Sequence, residues 1–193
     1  MNGMRILAIV AHDKATSLTK TIFNHALAFL REQKNIELDI LDLYDHASEI
    51  PFYASDRAQL EANAFYQENK ERILKADRLL IVFPTYWYGV PGILKCWFDL
   101  INQFAWKFNG PYRTAIPLHF IKKALMINLT ITPRWYNLLW LGDPARDQVK
   151  KTLQFLGIEP IMYTVDRSTR LNEKQLKKHK ANIAHLCGNL FSY

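Results

Sequence analysis

Two alternating periods limit this chain's fold more than any other feature. Short apolar runs recur between longer segments whose apolar residues return every three to four positions. Arg5–Val10 (RILAIV) is continuously apolar, as a strand buried on both faces is. Ser17–Arg31 then places Leu18, Ile22, Ala26, Phe29 and Leu30 on one helical stripe. Glu37–Leu43 (ELDILDL) alternates like a half-buried strand. Tyr44–Ala58 has no period, holds Pro51 and is expected to be loop; Leu60–Ala76 is expected to be a helix. Arg78–Phe83 is the third strand. Pro91–Phe104 reads as a helix with proline in its first turn and Ile93, Leu94, Trp97, Phe98 and Ile101 on one face. Lys107–His119, marked by Asn109-Gly110-Pro111, is expected to be loop, and Lys123–Leu129 the fourth strand. Asp143 and Pro144 stand as N-cap and N1 of a helix striped by Val149, Leu153 and Leu156 and ended by Gly157. Ile158–Val165 is the fifth strand. Asn172–Leu190 is the last helix, with Leu176, Ile183, Leu186 and Leu190 inward.

Five strands alternating with helices predict a parallel sheet covered on both faces. Residues 1–193 fit one domain. Five strands match a doubly wound, flavodoxin-like α/β sheet in the order 2-1-3-4-5 better than a six-stranded dinucleotide domain or an eight-stranded barrel. In such a sheet the ligand lies past the carboxyl ends of the strands, beside strand 1. The functional loops are therefore expected at Ala11–Thr19, Pro84–Pro91 and Thr130–Tyr136.

Composition removes other classes. No apolar run reaches the ~18 residues of a membrane span, and the start MNGMRILAIV lacks a signal-peptide pattern, so a cytoplasmic protein is expected. Lys and Arg exceed Asp and Glu by 25 to 18, which favours anionic ligands. The lysines are spread along the chain, and the one dense group (Lys174, Lys177, Lys178, Lys180) reads as a solvated helix face, so nucleic acid is not expected as a partner. Cys96 and Cys187 both lie in apolar-periodic segments and are expected to be buried thiols. The six histidines are scattered, and His179 and His185 do not share a helix face, so no metal site is expected.

The first loop, AHDKATSLTK, has no glycine, which excludes a dinucleotide fingerprint and a Walker A loop there. Thr16, Ser17 and Thr19 instead bring hydroxyls to a helix N-terminus. Two readings stay open: an anion site, or a simple N-cap. The second loop, PTYWYGVP, puts Tyr86, Trp87 and Tyr88 in succession on a short turn. They are either core or interface aromatics, or walls for a flat conjugated ligand that would also take hydrogen bonds from the turn.

FPTYWYGVPGILKCWFD resembles the signature of the NAD(P)H:quinone oxidoreductase family, the DT-diaphorase-like flavoproteins, in its short bacterial form. AHDKATS and the DLYD of Asp42–Asp45 are similar to the same pattern, and the similarity is clearest over the first two-thirds of the chain. The resemblance implies bound FMN, or alternatively FAD, with NAD(P)H as co-substrate and a quinone-like acceptor in a two-electron ping-pong cycle. It implies a homodimer with the site at the dimer interface. By position, His12, Thr16, Ser17 and Thr19 would hold phosphate and ribityl, and Pro84, Thr85, Tyr86, Trp87 and Tyr88 would line the flavin. Backbone N–H groups of Tyr86–Tyr88 would face the flavin N5/O4 edge. The third loop, LTITPRWYNLLWLGD, departs from the family's Thr-Thr-Gly-Gly run and lacks its histidine, and is similar to a branch carrying T-P-x-W-Y. There Thr130 and Thr132 would donate at the pyrimidine edge, Arg134 would neutralise charge at N1/O2, and Tyr136 would replace the family's tyrosine. With Trp87, these two are the candidate catalytic residues. Trp135, Tyr136, Leu138, Leu139 and Trp140 also read as a dimer surface. The alternatives to an enzyme are an accessory flavoprotein of a transport system and an electron carrier; the charge of +7 disfavours the carrier.

Overall fold

The computed structural model describes residues 3–51, 57–110 and 114–191. Its main sheet is β1 (Met4–Val10), β2 (Ile36–Asp42), β3 (Arg78–Pro84), β6 (Lys123–Leu129) and β7 (Glu159–Val165), all parallel in the order β2-β1-β3-β6-β7. These are the five strands expected from the sequence, in the expected 2-1-3-4-5 order. The helices are α1 (Leu18–Arg31), α2 (Arg57–Ala62), α3 (Ala64–Lys75), α4 (Gly92–Ile101), α5 (Arg134–Tyr136), α6 (Pro144–Phe155) and α7 (Glu173–Asn189).

The continuous apolar runs arise because both faces of the sheet are covered. Leu79, Ile81, Phe83, Ala124 and Met126 face α3, α4 and α6, where Phe65, Trp97 and Leu153 are fully buried. Ile6, Ala8, Val10, Leu80, Val82, Leu125 and Ile127 face α1 and α7, against Ile22, Ala26, Leu30 and Ile183. Successive residues of one strand thus enter opposite cores.

The structure corrects several expectations. Lys107–His119 is not simply loop: β4 (Trp106–Asn109) and β5 (Thr114–Pro117) pair as an antiparallel ribbon, Trp106 opposite Pro117. Strands of four residues are too short to show a period. Leu60–Ala76 is two helices, because Asn63 accepts from the Tyr66 N–H at 2.8 Å and starts α3 afresh. A 3₁₀ turn at Leu43–His46 follows β2, capped by Asp42; part of the expected loop Tyr44–Ala58 lies outside the described residues. The third loop winds into α5 and a π turn, Asn137–Leu141. Asp143 stands at the N-cap of α6 but in the left-handed region at φ 45°, with no side-chain cap; it is buried, which raises its carboxyl pKa. Cys187 is buried and its thiol is pushed up to about 12 by that burial, whereas Cys96 is only half-buried. Among the described residues no helix is long and apolar enough to cross a membrane.

Candidate functional site

All five parallel strands end on one edge of the sheet, and the order reverses between β1 and β3. The loops there diverge and leave a cavity of about 570 Å³. Its wall includes His12, Thr19, Pro84, Thr85, Tyr86, Trp87, Tyr88, Thr130 and Thr132. Of the residues singled out from the sequence, Thr16, Ser17, Arg134 and Tyr136 are not on this wall.

The first loop delivers the N-terminus of α1. Ser17 is its N-cap, with Oγ accepting from the Lys20 N–H at 3.2 Å. That satisfies one of the helix's free donors, and Thr21 N–H takes the Ser17 carbonyl at 3.0 Å. The N–H groups of Leu18 and Thr19 keep no partner among the described residues, and both residues line the cavity. Thr16 is exposed. The Lys20 ammonium is turned away to Asp42, at 2.6 Å, in a largely buried pair. Burial lowers the pKa of His12, with Asp13 opposing, and His12 Nδ1 accepts from the Lys14 N–H at 3.0 Å. A neutral ring with its proton on Nε2 fits that bond. Burial and the neighbouring Asp13 both raise the pKa of the Tyr86 phenol, so it stays protonated at neutral pH.

The second loop is a two-residue turn. Tyr86 N–H donates to the Gly89 carbonyl at 3.0 Å, and Gly89 N–H returns a bond at 2.9 Å. Trp87 and Tyr88 occupy its centre with φ of 47° and 66°. Two positive φ values in succession define a type I′ turn, whose usual residues are Asn and Gly. The turn explains how three consecutive rings avoid the core: Trp87 is 96% exposed and Tyr88 56%. It also narrows the expected donors. Tyr86 N–H is consumed by Gly89, and Thr85 N–H by Leu129 at 2.7 Å, whereas the Trp87 and Tyr88 N–H groups have no partner among the described residues.

The opposite wall is the third loop. Thr130, Thr132 and Asn137 hydrogen-bond one another, and Thr85 joins a second polar group beneath through Asn128 and Thr164. Arg134 donates its backbone N–H to Asp166 at 2.9 Å and its side chain is exposed. Tyr136 packs edge-on to Trp135, 5.8 Å between ring centres. Beyond them Leu139 and Trp140 are 78% and 74% exposed, and Ile131 is 68% exposed.

Sequence reasoning missed Asn137, Ser168 and Thr169, all on the cavity wall. Ser168 and Thr169 come from a fourth carboxyl-edge loop, after β7, drawn in by a 2.9 Å bond from Ser168 N–H to the Thr130 carbonyl. The hydroxyl pair in DRSTR, directly after a strand, was the available signal. Asn137 lies in a stretch dominated by aromatics and leucines, where nothing marks it.

The donor and acceptor set fits an FMN-sized ligand. Unpaired N–H groups at the positive end of α1 suit a phosphate, those of Trp87 and Tyr88 suit ring acceptors, and aromatic side chains stand at the rim.

Comparison with known proteins agrees with this architecture. The chain is 28% identical over 191 residues to NAD(P)H dehydrogenase (quinone) 1 of Rattus norvegicus, covering 83% of this chain and 69% of the rat protein. It is 30% identical over 99 residues to FMN-dependent NADH:quinone oxidoreductase 1 of Idiomarina loihiensis, an alignment spanning 49% of this chain and about half, 52%, of that relative. The crystal structure of an FMN-dependent NADH-azoreductase from Bacillus anthracis, in complex with FMN, superposes with a TM-score of 0.79 at 19% identity, covering 97% of this chain and 100% of that one. At that identity the superposition establishes the fold. The family model described as "Flavodoxin-like fold" matches residues 4–186, and the chain belongs to that family.

Proposed function

We propose that the protein is an FMN-dependent NAD(P)H:quinone oxidoreductase built as one flavodoxin-like domain and working as a homodimer. The observation that carries this reading is the Tyr86–Gly89 turn, which holds two unpaired N–H groups and three aromatic side chains at the mouth of the switch-point cavity. The names of the rat and Idiomarina relatives support the same chemistry.

FMN bound in this cavity would supply two-electron hydride chemistry between a nicotinamide nucleotide and a planar acceptor. The chain's own contributions follow from its geometry. Leu18 and Thr19 N–H groups, at the N-terminus of α1, would hold the FMN phosphate. Trp87 and Tyr88 N–H groups are oriented in advance by the turn, so they would donate to acceptors on the ring of a bound flavin without reorganising. Tyr86, protonated and set against Asp13, stands as a wall beside His12, with 6.2 Å between their rings. Trp87 offers its exposed face to the planar substrates. Arg134 and Tyr136 belong to the exposed segment that includes Leu139 and Trp140. A second copy covering this apolar face would bring both residues to a site completed at the interface.

The test is direct. Protein purified with FMN in the buffer is expected to be yellow and to consume NADH or NADPH when menadione is added. Colourless protein that takes up no flavin overturns the reading. Bound flavin without turnover against quinones and azo compounds converts it to the accessory flavoprotein.

A further inference from the structure

We infer that Asn137 is a positioning residue that locks the hydroxyl protons of Thr130 and Thr132, so that this wall of the cavity accepts hydrogen bonds from a ligand and donates none through its threonines. The inference rests on the flavin reading above, since it names which edge of the ligand this wall meets.

The proton assignment follows from three contacts. Thr132 Oγ1 lies 2.6 Å from Asn137 Oδ1, which can only accept, so the Thr132 proton is used there. Asn137 Nδ2 lies 3.3 Å from Thr130 Oγ1 and can only donate. The third contact, Thr130 Oγ1 to Thr132 Oγ1 at 2.8 Å, must then be a donation from Thr130, because Thr132 has no proton left. The three groups form a closed ring with one direction. The short O···O and longer N···O separations agree with this orientation of the amide. Turning the amide over reverses the ring but still consumes both hydroxyl protons.

Asn137 is itself held firmly. It is 7% exposed, and its carbonyl accepts from the Asp143 N–H at 3.0 Å, across the left-handed pair Gly142–Asp143. Thr130 is fixed by the sheet edge: its N–H donates to the Val165 carbonyl at 3.0 Å and its carbonyl accepts from Ser168 at 2.9 Å. Thr130, Thr132 and Asn137 all line the cavity. What the threonine hydroxyls present to a ligand is what lone-pair capacity remains, on Thr132 Oγ1, because Thr130 Oγ1 already accepts from both Asn137 Nδ2 and, at 3.4 Å, the Thr132 N–H. Its natural partner is an N–H, and the flavin pyrimidine edge carries one between two carbonyls, the imide N3–H. The same lone pairs give nothing to N1 or O2, where reduction deposits charge. The ring of Asn137 thus withholds stabilisation from the reduced form and keeps a bound flavin a ready electron donor, leaving the Trp87 and Tyr88 N–H groups as the donors on the other side.

Two near-isosteric variants test this, because the ring has a direction. Thr132→Val removes the acceptor of the Thr130 proton and frees it for the cavity. Thr130→Val leaves the Thr132 proton on Asn137 Oδ1 and frees nothing. Both are reconstituted with FMN; oxidised-state affinity is read by fluorescence titration and the two-electron midpoint potential by dye equilibration. Thr132→Val is expected to favour reduced over oxidised FMN about tenfold more than wild type, which is about 30 mV upward for a two-electron couple. Thr130→Val is expected to show no rise. Asn137→Ala frees the Thr132 proton, while Thr130 still donates to Thr132; it is expected to rise about as far as Thr132→Val, and adding Val at both threonines should abolish that rise. Equal potentials in wild type and both valine variants, with FMN bound and menadione turnover intact, overturn the inference and leave the oxidoreductase reading standing; a rise in Thr130→Val alone reports the reversed ring. Equal rises in both valine variants overturn it as well, since a merely structural disturbance has no direction. Failure of the wild type to bind FMN overturns both.

Discussion

Tyr86 and Gly89 exchange both of their backbone hydrogen bonds, at 3.0 and 2.9 Å, and between them Trp87 and Tyr88 sit in the left-handed region. Left-handed backbone costs an L residue roughly 1–2 kcal/mol. The sequence that relieves it, Asn-Gly, is absent. Strain of this kind persists where function needs the side chains held there. The double substitution Trp87→Asn, Tyr88→Gly should therefore stabilise the folded protein, by about 1–2 kcal/mol in urea unfolding of the flavin-free form. The same variant is expected to bind FMN more weakly. A variant that gains stability and keeps wild-type affinity would show that the rings have no part in binding.

Trp87 separates binding from folding more simply. At 96% exposure its ring contributes almost nothing to the core. Trp87→Asp is therefore expected to leave the urea midpoint nearly unchanged, as exposed substitutions do. Loss of the aromatic face, with a carboxylate put beside an anionic cofactor, is expected to weaken FMN binding by about tenfold or more. Fluorescence titration decides it; an unchanged dissociation constant makes Trp87 a bystander.

What the sequence disclosed and what it hid divide along physical lines. Leu79–Phe83 was legible because every residue of β3 is buried, a consequence of two helical layers that leaves one continuous run. Topology then put the cavity at the correct edge with no chemical motif required. Hydrogen-bond direction was not legible. That Tyr86 N–H is consumed by Gly89 follows from a turn type that Trp-Tyr does not announce. Asn137 was hidden because its partners are set by a π turn and a left-handed pair, local geometries with no periodic signature.

The apolar segment after Asn137 carries the assembly prediction. Leu138, Leu139 and Trp140 are 45%, 78% and 74% exposed, and Ile131 nearby in the chain is 68% exposed. Apolar groups clustered this way mark an association surface. Leu139→Glu is expected to shift micromolar protein from dimer to monomer in sedimentation velocity while changing the unfolding free energy of the subunit by less than about 0.5 kcal/mol. A wild-type monomer at those concentrations would remove the homodimer from the proposed function.

Stability should fall on mild acidification, and His119 identifies one cause. His119 is 7% exposed, its Nδ1 accepts from the Ile121 N–H at 3.2 Å, and its Nε2 has no hydrogen-bond partner among the described residues. Burial therefore lowers its pKa, with the Leu156 backbone opposing, and burial lowers His12 and His179 in the same sense. The unfolded chain has histidines near 6.5. Above that pH both states are neutral and the group does not affect folding. Below it the unfolded chain takes up protons that the folded chain refuses, so stability falls as pH drops and levels only below the folded pKa. His119→Asn keeps an acceptor two residues before Ile121, as asparagine does in turns, but cannot titrate. Urea midpoints measured from pH 8 to 5 are expected to decline less steeply in the variant than in wild type below pH 6.5, with the two curves parallel above it. Parallel curves throughout would mean that His119 takes up its proton equally in both states, and that the acid sensitivity belongs to His12 and His179.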